Sequence, residues 1–535
     1  MRFSSISPYI FITIFVIIIS SCARRGRPEG GPKDEDKPIM VKTVPAFKSL
    51  YFDKKEIKIY FDEFIKLNNV NSQLIISPPL KYPPIISPQG SPSKQITIKI
   101  KDTLLENTTY TFNFGKSIID NTEGNILDNF KYIFSTGSYI DSLEVSGTIK
   151  DAFDFKMVEN PTLMLYPVTE NFNDSIIYNE KPTYVGSVLD STHWNISNIK
   201  NGTYLLVALN DNSSNYKFNP KEDKIGFHST YITIPTDSTY EISLFNEILP
   251  FKLSSKPKEI SKGHILFGYE GDATNFKVSP LSTTSSSYKS TAYFDVKKDT
   301  LHYWFKNYDK DSIIMAVAKN KVLDTVKIKL RAKEIDSLSI NSITRKTLHL
   351  RDTFQISSNV PVLEIDTTKI VFLDKDSTHV NYKTTLSKSK TIINFLFKKE
   401  PSNKYTISLF PGAVTDFFDI QNDSLKVSFS TKKTASYSSI FLNINNVKSY
   451  PIIIHLINDK GAVIAEKYAE KPREYQFKNL NPSRYKFRLI YDTNNNKVWD
   501  TGNFLLKQQP EEVYYFNNVI DAKANWDVVE SFTIQ

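Results

Sequence analysis

No run of about 12 residues in this chain repeats apolar side chains with a helical 3.6-residue period between two caps. Short alternations of polar and apolar residues are frequent instead. Glu56-Ile57-Lys58-Ile59-Tyr60-Phe61, Gln95-Ile96-Thr97-Ile98-Lys99-Ile100 and Tyr110-Thr111-Phe112-Asn113-Phe114 each send every second side chain to one face, the pattern of a half-buried strand. Turn chemistry separates them, at Ser77-Pro78-Pro79, Pro83-Pro84 and Ser87-Pro88-Gln89-Gly90. Phe and Tyr are plentiful, 36 and 29 among 535 residues, and aromatic side chains favour strands. The expected fold class is all-β, built of tandem β-sandwich modules.

Internal repeats strengthen this reading. Asn107-Thr108-Thr109-Tyr110-Thr111-Phe112 leads to Phe134-Ser135-Thr136, and Asn403-Lys404-Tyr405-Thr406-Ile407 leads to Phe429-Ser430-Thr431; in both copies the closing Thr stands 26 residues after the Tyr. An Asp lies in each intervening loop, Asp120 or Asp416. A second repeat follows each copy: Ile196-Ser197-Asn198-Ile199 precedes Tyr204 and Asp211, and Phe477-Lys478-Asn479-Leu480 precedes Tyr485 and Asp492, with seven residues from Tyr to Asp in both. Duplicated modules are the economical explanation.

The tyrosine strand, the Asp-bearing loop and the terminal Phe-Ser-Thr resemble the SbsA type of bacterial Ig-like domain. The resemblance covers residues 38–140, with Asp62-Glu63-Phe64 and the prefix Gly30-Gly31-Pro32-Lys33-Asp34, and more loosely 336–434. Ser146-Gly147-Thr148-Ile149-Lys150-Asp151-Ala152 opens a segment similar to prealbumin-like or Cna-B-like modules. The expected organisation is a lipoprotein signal peptide at 1–21, a flexible tether at 22–37, an Ig-like domain at 38–140 and a prealbumin-like β-sandwich at 141–235. A β-rich domain of unknown type at 236–335, a divergent Ig-like domain at 336–434 and a second prealbumin-like sandwich at 435–535 follow.

The signal-peptide expectation rests on Cys22, the single cysteine of the chain. It follows an apolar stretch, Tyr9 to Ile19, that is short of the roughly 20 residues a membrane-spanning helix needs. Arg2 supplies a positive start, and Ile19-Ser20-Ser21-Cys22 resembles the Ser-Cys lipoboxes frequent in Bacteroidota, in which the thiol takes a diacylglycerol and becomes the mature N-terminus. Residues 23–38 are polar and rich in Gly and Pro, hence the tether. Ala23 and Arg24 stand where an Asp signals inner-membrane retention in many proteobacteria, which favours the outer membrane. The acidic run Asp34-Glu35-Asp36 comes late, so either face of that membrane fits. With no second cysteine, hydrophobic cores alone must hold the modules together.

Chemistry is sparse. The formal charge of +9 is spread along the chain without a basic block, which gives no support to nucleic-acid binding. His193, His228, His264, His302, His349, His379 and His455 are widely spaced and form no H-x-H or H-E-x-x-H pattern. Ser282 to Ser287 lacks a Gly-x-Ser-x-Gly elbow. Adjacent carboxylates such as Asp62-Glu63 point to opposite faces of a strand, so they do not converge on one bond.

The most specific candidate site is the loop after each repeated tyrosine strand. Asp211, Ser213, Asn215, Asn219 and Glu222 occupy relative positions 1, 3, 5, 9 and 12, and Asp492, Asn494, Asn496 and Asp500 occupy 1, 3, 5 and 9. A weak Ca²⁺ site is one expectation, since a hard cation takes several oxygens from one tight loop. Tyr216 or Lys497 at position 6, where an EF-hand has Gly, and Asn503 at position 12 of the second loop point to the alternative, a pair of Asx-turn hairpins. No other cofactor is expected.

Asp followed by Ser or Thr and then an aliphatic residue or Thr recurs at Thr103, Ser142, Ser175, Ser191, Ser238, Thr300, Ser312, Thr325, Ser337, Thr367, Ser377 and Ser424. It is similar to the O-glycosylation sequon of exported Bacteroidota proteins; turns leading into strands account for it equally. The resulting functional expectation is a non-enzymatic, lipid-anchored interaction scaffold of the cell envelope, partnered by the membrane and by an outer-membrane assembly or export complex. A glycan- or peptide-binding lipoprotein, using Tyr303, Trp304 and Phe305 as an aromatic platform, is the alternative. A hydrolase with its site in 236–335 is the third.

Overall fold

The computed structural model describes residues 34–156, 159–188, 192–319 and 322–534. The expected signal peptide, Cys22, most of the expected tether and Ser191 lie outside the described residues. Two compact units divide the chain: one comprises the described residues up to Leu143 with Thr183–Val185 and Ser197–Lys200, the other the remainder. Strands dominate both, and the α-helices Val70–Gln73 and Ile176–Asn179 are single turns.

In the first unit a five-stranded sheet runs Met40–Val44, Glu56–Leu67, Ser93–Lys99, Ile85–Ser87, with Ile118–Asp120 also paired to Glu56–Leu67. A three-stranded sheet holds Ile75–Ser77, Thr109–Asn113 and Lys131–Ser135. One buried cluster draws on both, with Ile57, Ile59, Ile96 and Ile98 from the first sheet and Phe112 and Phe134 from the second. The alternation seen in the sequence supplies these residues: Ile57, Ile59 and Phe61 face the core while Glu56, Lys58 and Tyr60 do not.

The second unit begins with a large sheet in which Leu143–Asp151 pairs in parallel with Thr239–Leu244, bringing Ile149 beside Ile242. That closing strand lies past residue 235, so the sheet extends beyond the boundary expected from sequence. Gly147 makes the pairing feasible, because a Cβ there would collide with the Tyr240 carbonyl. Residues 252–329 form two further sheets around a shared cluster that includes Ile265, Phe267, Tyr303, Phe305, Ile313 and Met315. The segment whose type could not be read is thus also a β-sandwich.

Residues 340–430 follow with a core around Phe354, Ile393, Tyr405 and Phe429. Residues 438–533 end the chain with a three-stranded sheet and a five-stranded sheet. Its first strand, Ser438–Asn445, and its last, Asp527–Thr533, again pair in parallel. The two modules expected to be prealbumin-like therefore share one closure of first strand on last.

Both copies of the tyrosine-strand repeat owe their sequence signature to one hydrogen-bond set. Tyr110 pairs with Phe134 and Tyr405 with Phe429 across antiparallel strands. Each tyrosine hydroxyl accepts a backbone N–H five residues upstream, from Leu105 at 2.9 Å and from Glu400 at 2.8 Å. The closing Thr hydroxyl donates to the carbonyl of that same residue, 2.7 Å for Thr136 to Leu105 and 2.6 Å for Thr431 to Glu400. It also accepts from the N–H two residues before the Tyr, Thr108 or Asn403. A loop that would leave buried polar groups unpaired is thereby satisfied from within.

Candidate functional site

The two repeated Asp loops share a left-handed backbone at the same two positions. Positions 4 and 6 have positive φ in both, 53° and 60° at Ser214 and Tyr216, 64° and 67° at Asn495 and Lys497. In the first loop Asp211 accepts the Tyr216 N–H at 2.6 Å and the Ser213 hydroxyl at 3.1 Å. Asn215 and Asn219 accept the Lys217 and Lys221 N–H groups. Glu222 points to solvent. Its neighbour Asp223 is the buried carboxylate, taking the Asn212 and Asn219 N–H groups at 3.0 and 2.9 Å, and burial pushes its pKa up.

In the second loop buried Asp492 accepts the Asn496 and Lys497 N–H groups at 3.1 and 2.9 Å. Asp500 takes the side-chain amides of Asn494 and Asn496, both at 2.7 Å. Glu511, outside the 12-residue window used on the sequence, binds the loop from behind: it accepts Thr493 N–H and hydroxyl at 2.6 and 2.7 Å and Asp500 N–H at 3.1 Å. Carboxylate oxygens that a cation would need are engaged by the loops' own donors, which is the Asx-turn arrangement. Among the described residues no group of three or more His, Cys, Asp or Glu side chains is suited to holding a metal ion.

What the second loop does is dock. Phe504, at its end, is fully buried in the core of the 144–245 module beside Phe227, ring centroids 5.3 Å apart. Its N–H donates to Glu247 at 2.6 Å, a carboxyl whose pKa burial raises. Thr501 donates its hydroxyl to the Asn246 carbonyl at 2.6 Å, and Gln509 its amide to the Phe227 carbonyl at 2.9 Å. Gly502 passes so close that a Cβ would lie 2.6 Å from the Phe245 ring. Alongside, Arg488 lies 4 % exposed with its guanidinium carbon 3.7 Å from the Phe153 ring centroid, and donates to the Phe153 carbonyl at 3.2 Å. Lys486 covers Phe155 at 3.7 Å, and Trp499 packs on Phe153 at 4.5 Å.

His455 orients the arginine. Its Nδ1 accepts from Arg488 Nε and Nη2, 3.2 and 2.9 Å, so its Nε2–H donates to Glu466 at 3.0 Å. Burial first, and then the guanidinium, lower its pKa and keep it neutral. Sequence spacing held no sign of this cluster, because its members come from different strands of one module and from a segment more than 300 residues away.

Tyr303, Trp304 and Phe305 form no platform. All three are buried, at 3 %, 0 % and 3 % exposure. Tyr303 and Phe305 face the core of their own module, whereas Trp304, on the other face, packs with Val360 and Phe417 of the next one. Both faces of that strand are covered, so alternation leaves no side free. The same joint brings together two histidines that sequence spacing kept apart: the register sets His264 opposite Trp304 and Leu266 opposite His302, and His264 Nε2 lies 3.0 Å from His302 Nδ1. Ser261, Asp336 and His264 also meet here. The Ser261 hydroxyl donates to Asp336 at 2.8 Å, away from the imidazole, which stacks on Trp304 at 3.5 Å.

The repeated Ser and Thr positions divide by exposure. Thr103, Ser142, Ser238, Thr325, Ser337, Thr367, Ser377 and Ser424 are exposed, and Ser175, Thr300 and Ser312 half-buried. Ser142, Ser238 and Ser424 directly precede strands, and Thr300 and Ser312 begin them.

Residues 34–136 match the bacterial Ig-like domain family. The resemblance read over 38–140 and this match overlap over residues 38–136. Structural comparison finds domains 5–6 of the S-layer protein SbsC at 10 % identity, covering 35 % of this chain and 99 % of that one, with a TM-score of 0.18. Domains 4–9 of the same surface layer protein share 10 % identity over 80 % of this chain and 64 % of theirs, TM-score 0.20. The Bacillus anthracis TIE protein shares 9 % identity over 99 % and 79 %, TM-score 0.15. At these scores the likenesses carry no argument. No curated protein matches the sequence.

Proposed function

We propose that the chain is a non-enzymatic interaction scaffold of the cell envelope, tethered through a lipid on Cys22 and associated with an outer-membrane assembly or export complex. The observation that carries this reading is the array of β-sandwich modules, whose charged and aromatic clusters are committed to holding modules together. The Arg488–His455 cluster docks the C-terminal module, and the Trp304 cluster seals the joint before residues 340–430. The lipobox residues Ile19 to Cys22 support the anchor, and the exposed Asp-Ser/Thr sites fit O-glycosylation of an exported protein.

The test is recovery of the C-terminally tagged chain from native outer membranes in mild detergent. A stoichiometric envelope complex is the expected result. Recovery of the chain alone would overturn the scaffold reading, and a Cys22→Ala variant still held in the membrane fraction would overturn the anchor.

A further inference from the structure

Five large apolar side chains between residues 41 and 51 of the first unit stand in solvent: Val41 at 61 % exposure, Val44 at 52 %, Phe47 at 39 %, Leu50 at 43 % and Tyr51 at 70 %. Single exposed apolar residues need no explanation, but a concentration of them marks a contact surface. These sit on the edge strand Met40–Val44 and the bend that follows it. The bend is held, with Lys48, Tyr51 and Phe52 donating their N–H groups to the carbonyls of Ile133, Gly137 and Ser135 at 2.8, 3.0 and 2.9 Å. Phe52 stacks beneath on Phe134 at 3.8 Å. Two bulky residues, Lys48 and Tyr51, take positive φ, 62° and 52°. Such conformations cost roughly 1–3 kcal/mol each and persist only where the surrounding structure holds them.

We infer that this strand and bend form a membrane-contact surface that seats the first module on an anionic lipid headgroup layer. The inference rests on the lipid-anchored reading above, and reach supports it. Eighteen residues separate Cys22 from Val41, about 65 Å at full extension, so the chain between them is long enough for the surface to meet the membrane that holds the anchor. Composition supports it too. Lys42 and Lys48 are exposed among the apolar side chains, their ammonium groups over the rings of Tyr60 and Phe47 at 4.8 and 5.6 Å. Aromatic and aliphatic side chains interleaved with lysine match the acyl boundary and the anionic headgroups above it. The lipid supplies attachment; the patch fixes which way up the first module sits.

The lone native cysteine permits a clean test. Full-length lipidated chain carrying Leu50→Cys, or Lys388→Cys in the second unit, is labelled with bimane and mixed with phosphatidylcholine vesicles containing nitroxide lipids and on the order of one phosphatidylglycerol in four. The expected result is co-flotation of both, with quenching at position 50 and none at 388. Co-flotation without quenching at 50 overturns the contact surface and leaves the anchor standing. Failure to co-float overturns the anchor instead, and the surface is then judged on the Cys22→Ala chain alone. That chain should bind the same vesicles about tenfold more tightly than its Val44→Ser, Leu50→Ser, Tyr51→Asn variant. Equal binding, or a concentration-dependent dimer abolished by those substitutions, overturns the proposal.

Discussion

Arg488 lies over the ring of Phe153 and donates to its carbonyl across 335 residues of sequence. The C-terminal module is thereby fixed to one that lies far earlier in the sequence, with residues 246–434 between the two along the chain. Arg488→Met should remove the cation–π contact and leave His455 Nδ1 without its donor, while the Phe153 carbonyl keeps the Tyr515 hydroxyl. The expected loss is about 2–4 kcal/mol, read as a separate, earlier transition of the C-terminal module in calorimetry. A single unshifted transition would show that the docking contributes nothing. Arg488→Lys should rescue little, since an ammonium cannot reproduce the planar fork.

Phe504→Ala tests the same docking from its apolar side. A fully buried Phe costs about 3–5 kcal/mol on truncation, and here the cavity opens in the 144–245 core. Limited proteolysis should cut between the two modules faster than in the parent. A variant that melts and resists protease like the parent would deny Phe504 its place in that core.

Acid should weaken the middle joint. Burial, and next the facing His302, hold the His264 imidazole down at about 3; Asp336, 3.9 Å from Nδ1, is the carboxylate nearby. The folded pKa is below the unfolded value near 6.5, so the unfolded chain takes the proton first as pH falls. Stability is full above about pH 6.5 and declines by up to roughly 1.4 kcal/mol per unit on the way down to 3. Urea midpoints measured from pH 7 to pH 4 should drop, and His264→Gln should flatten the drop. An equally steep profile in that variant would place the titration elsewhere.

Chelation should leave the melting temperature of the full chain unchanged, because Asp211, Asp223, Asp492 and Glu511 already accept N–H donors. Asp492→Ala should cost about 1–2 kcal/mol through the two lost acceptances. A fall in melting temperature with EDTA, reversed by Ca²⁺, would decide for the cation reading of both loops.

O-glycosylation, under the envelope reading proposed above, should appear as added mass on peptides bearing the exposed Thr103, Ser142, Thr367 and Ser424. Unmodified peptides at all four would leave the recurrence to turn chemistry.

How far the sequence carries can be judged from particular residues. The 26-residue phase from Tyr110 to Thr136 and from Tyr405 to Thr431 was visible because hydrogen bonds between a hydroxyl and nearby backbone demand fixed spacing. The strand alternation of Glu56–Leu67 was visible because one face is buried. The strand Thr239–Leu244 escaped assignment to its module because parallel pairing with Leu143–Asp151 leaves no local trace. Position counting selects Glu222 over its inward-turned neighbour Asp223, because spacing cannot tell which of two adjacent carboxylates is buried, and it stops short of Glu511, which lies beyond the window of the second loop. The burial of Tyr303, Trp304 and Phe305 together depends on a second module covering the outer face, which periodicity along one strand cannot report.

Parallel closure of first strand on last has a mechanical consequence. In the C-terminal module Ser439 sits beside Asp527 and Asn445 beside Thr533, so the chain enters at one end of the strand pair and leaves at the other, about 20 Å away. Tension between those two points would load the pair in shear, stretching the whole ladder of hydrogen bonds at once; antiparallel neighbours pulled from a shared end would instead unzip rung by rung. Leu143–Asp151 and Thr239–Leu244 repeat the arrangement, so the two modules locked together by Arg488 and Phe504 are also the two whose own end strands are built to bear a pull.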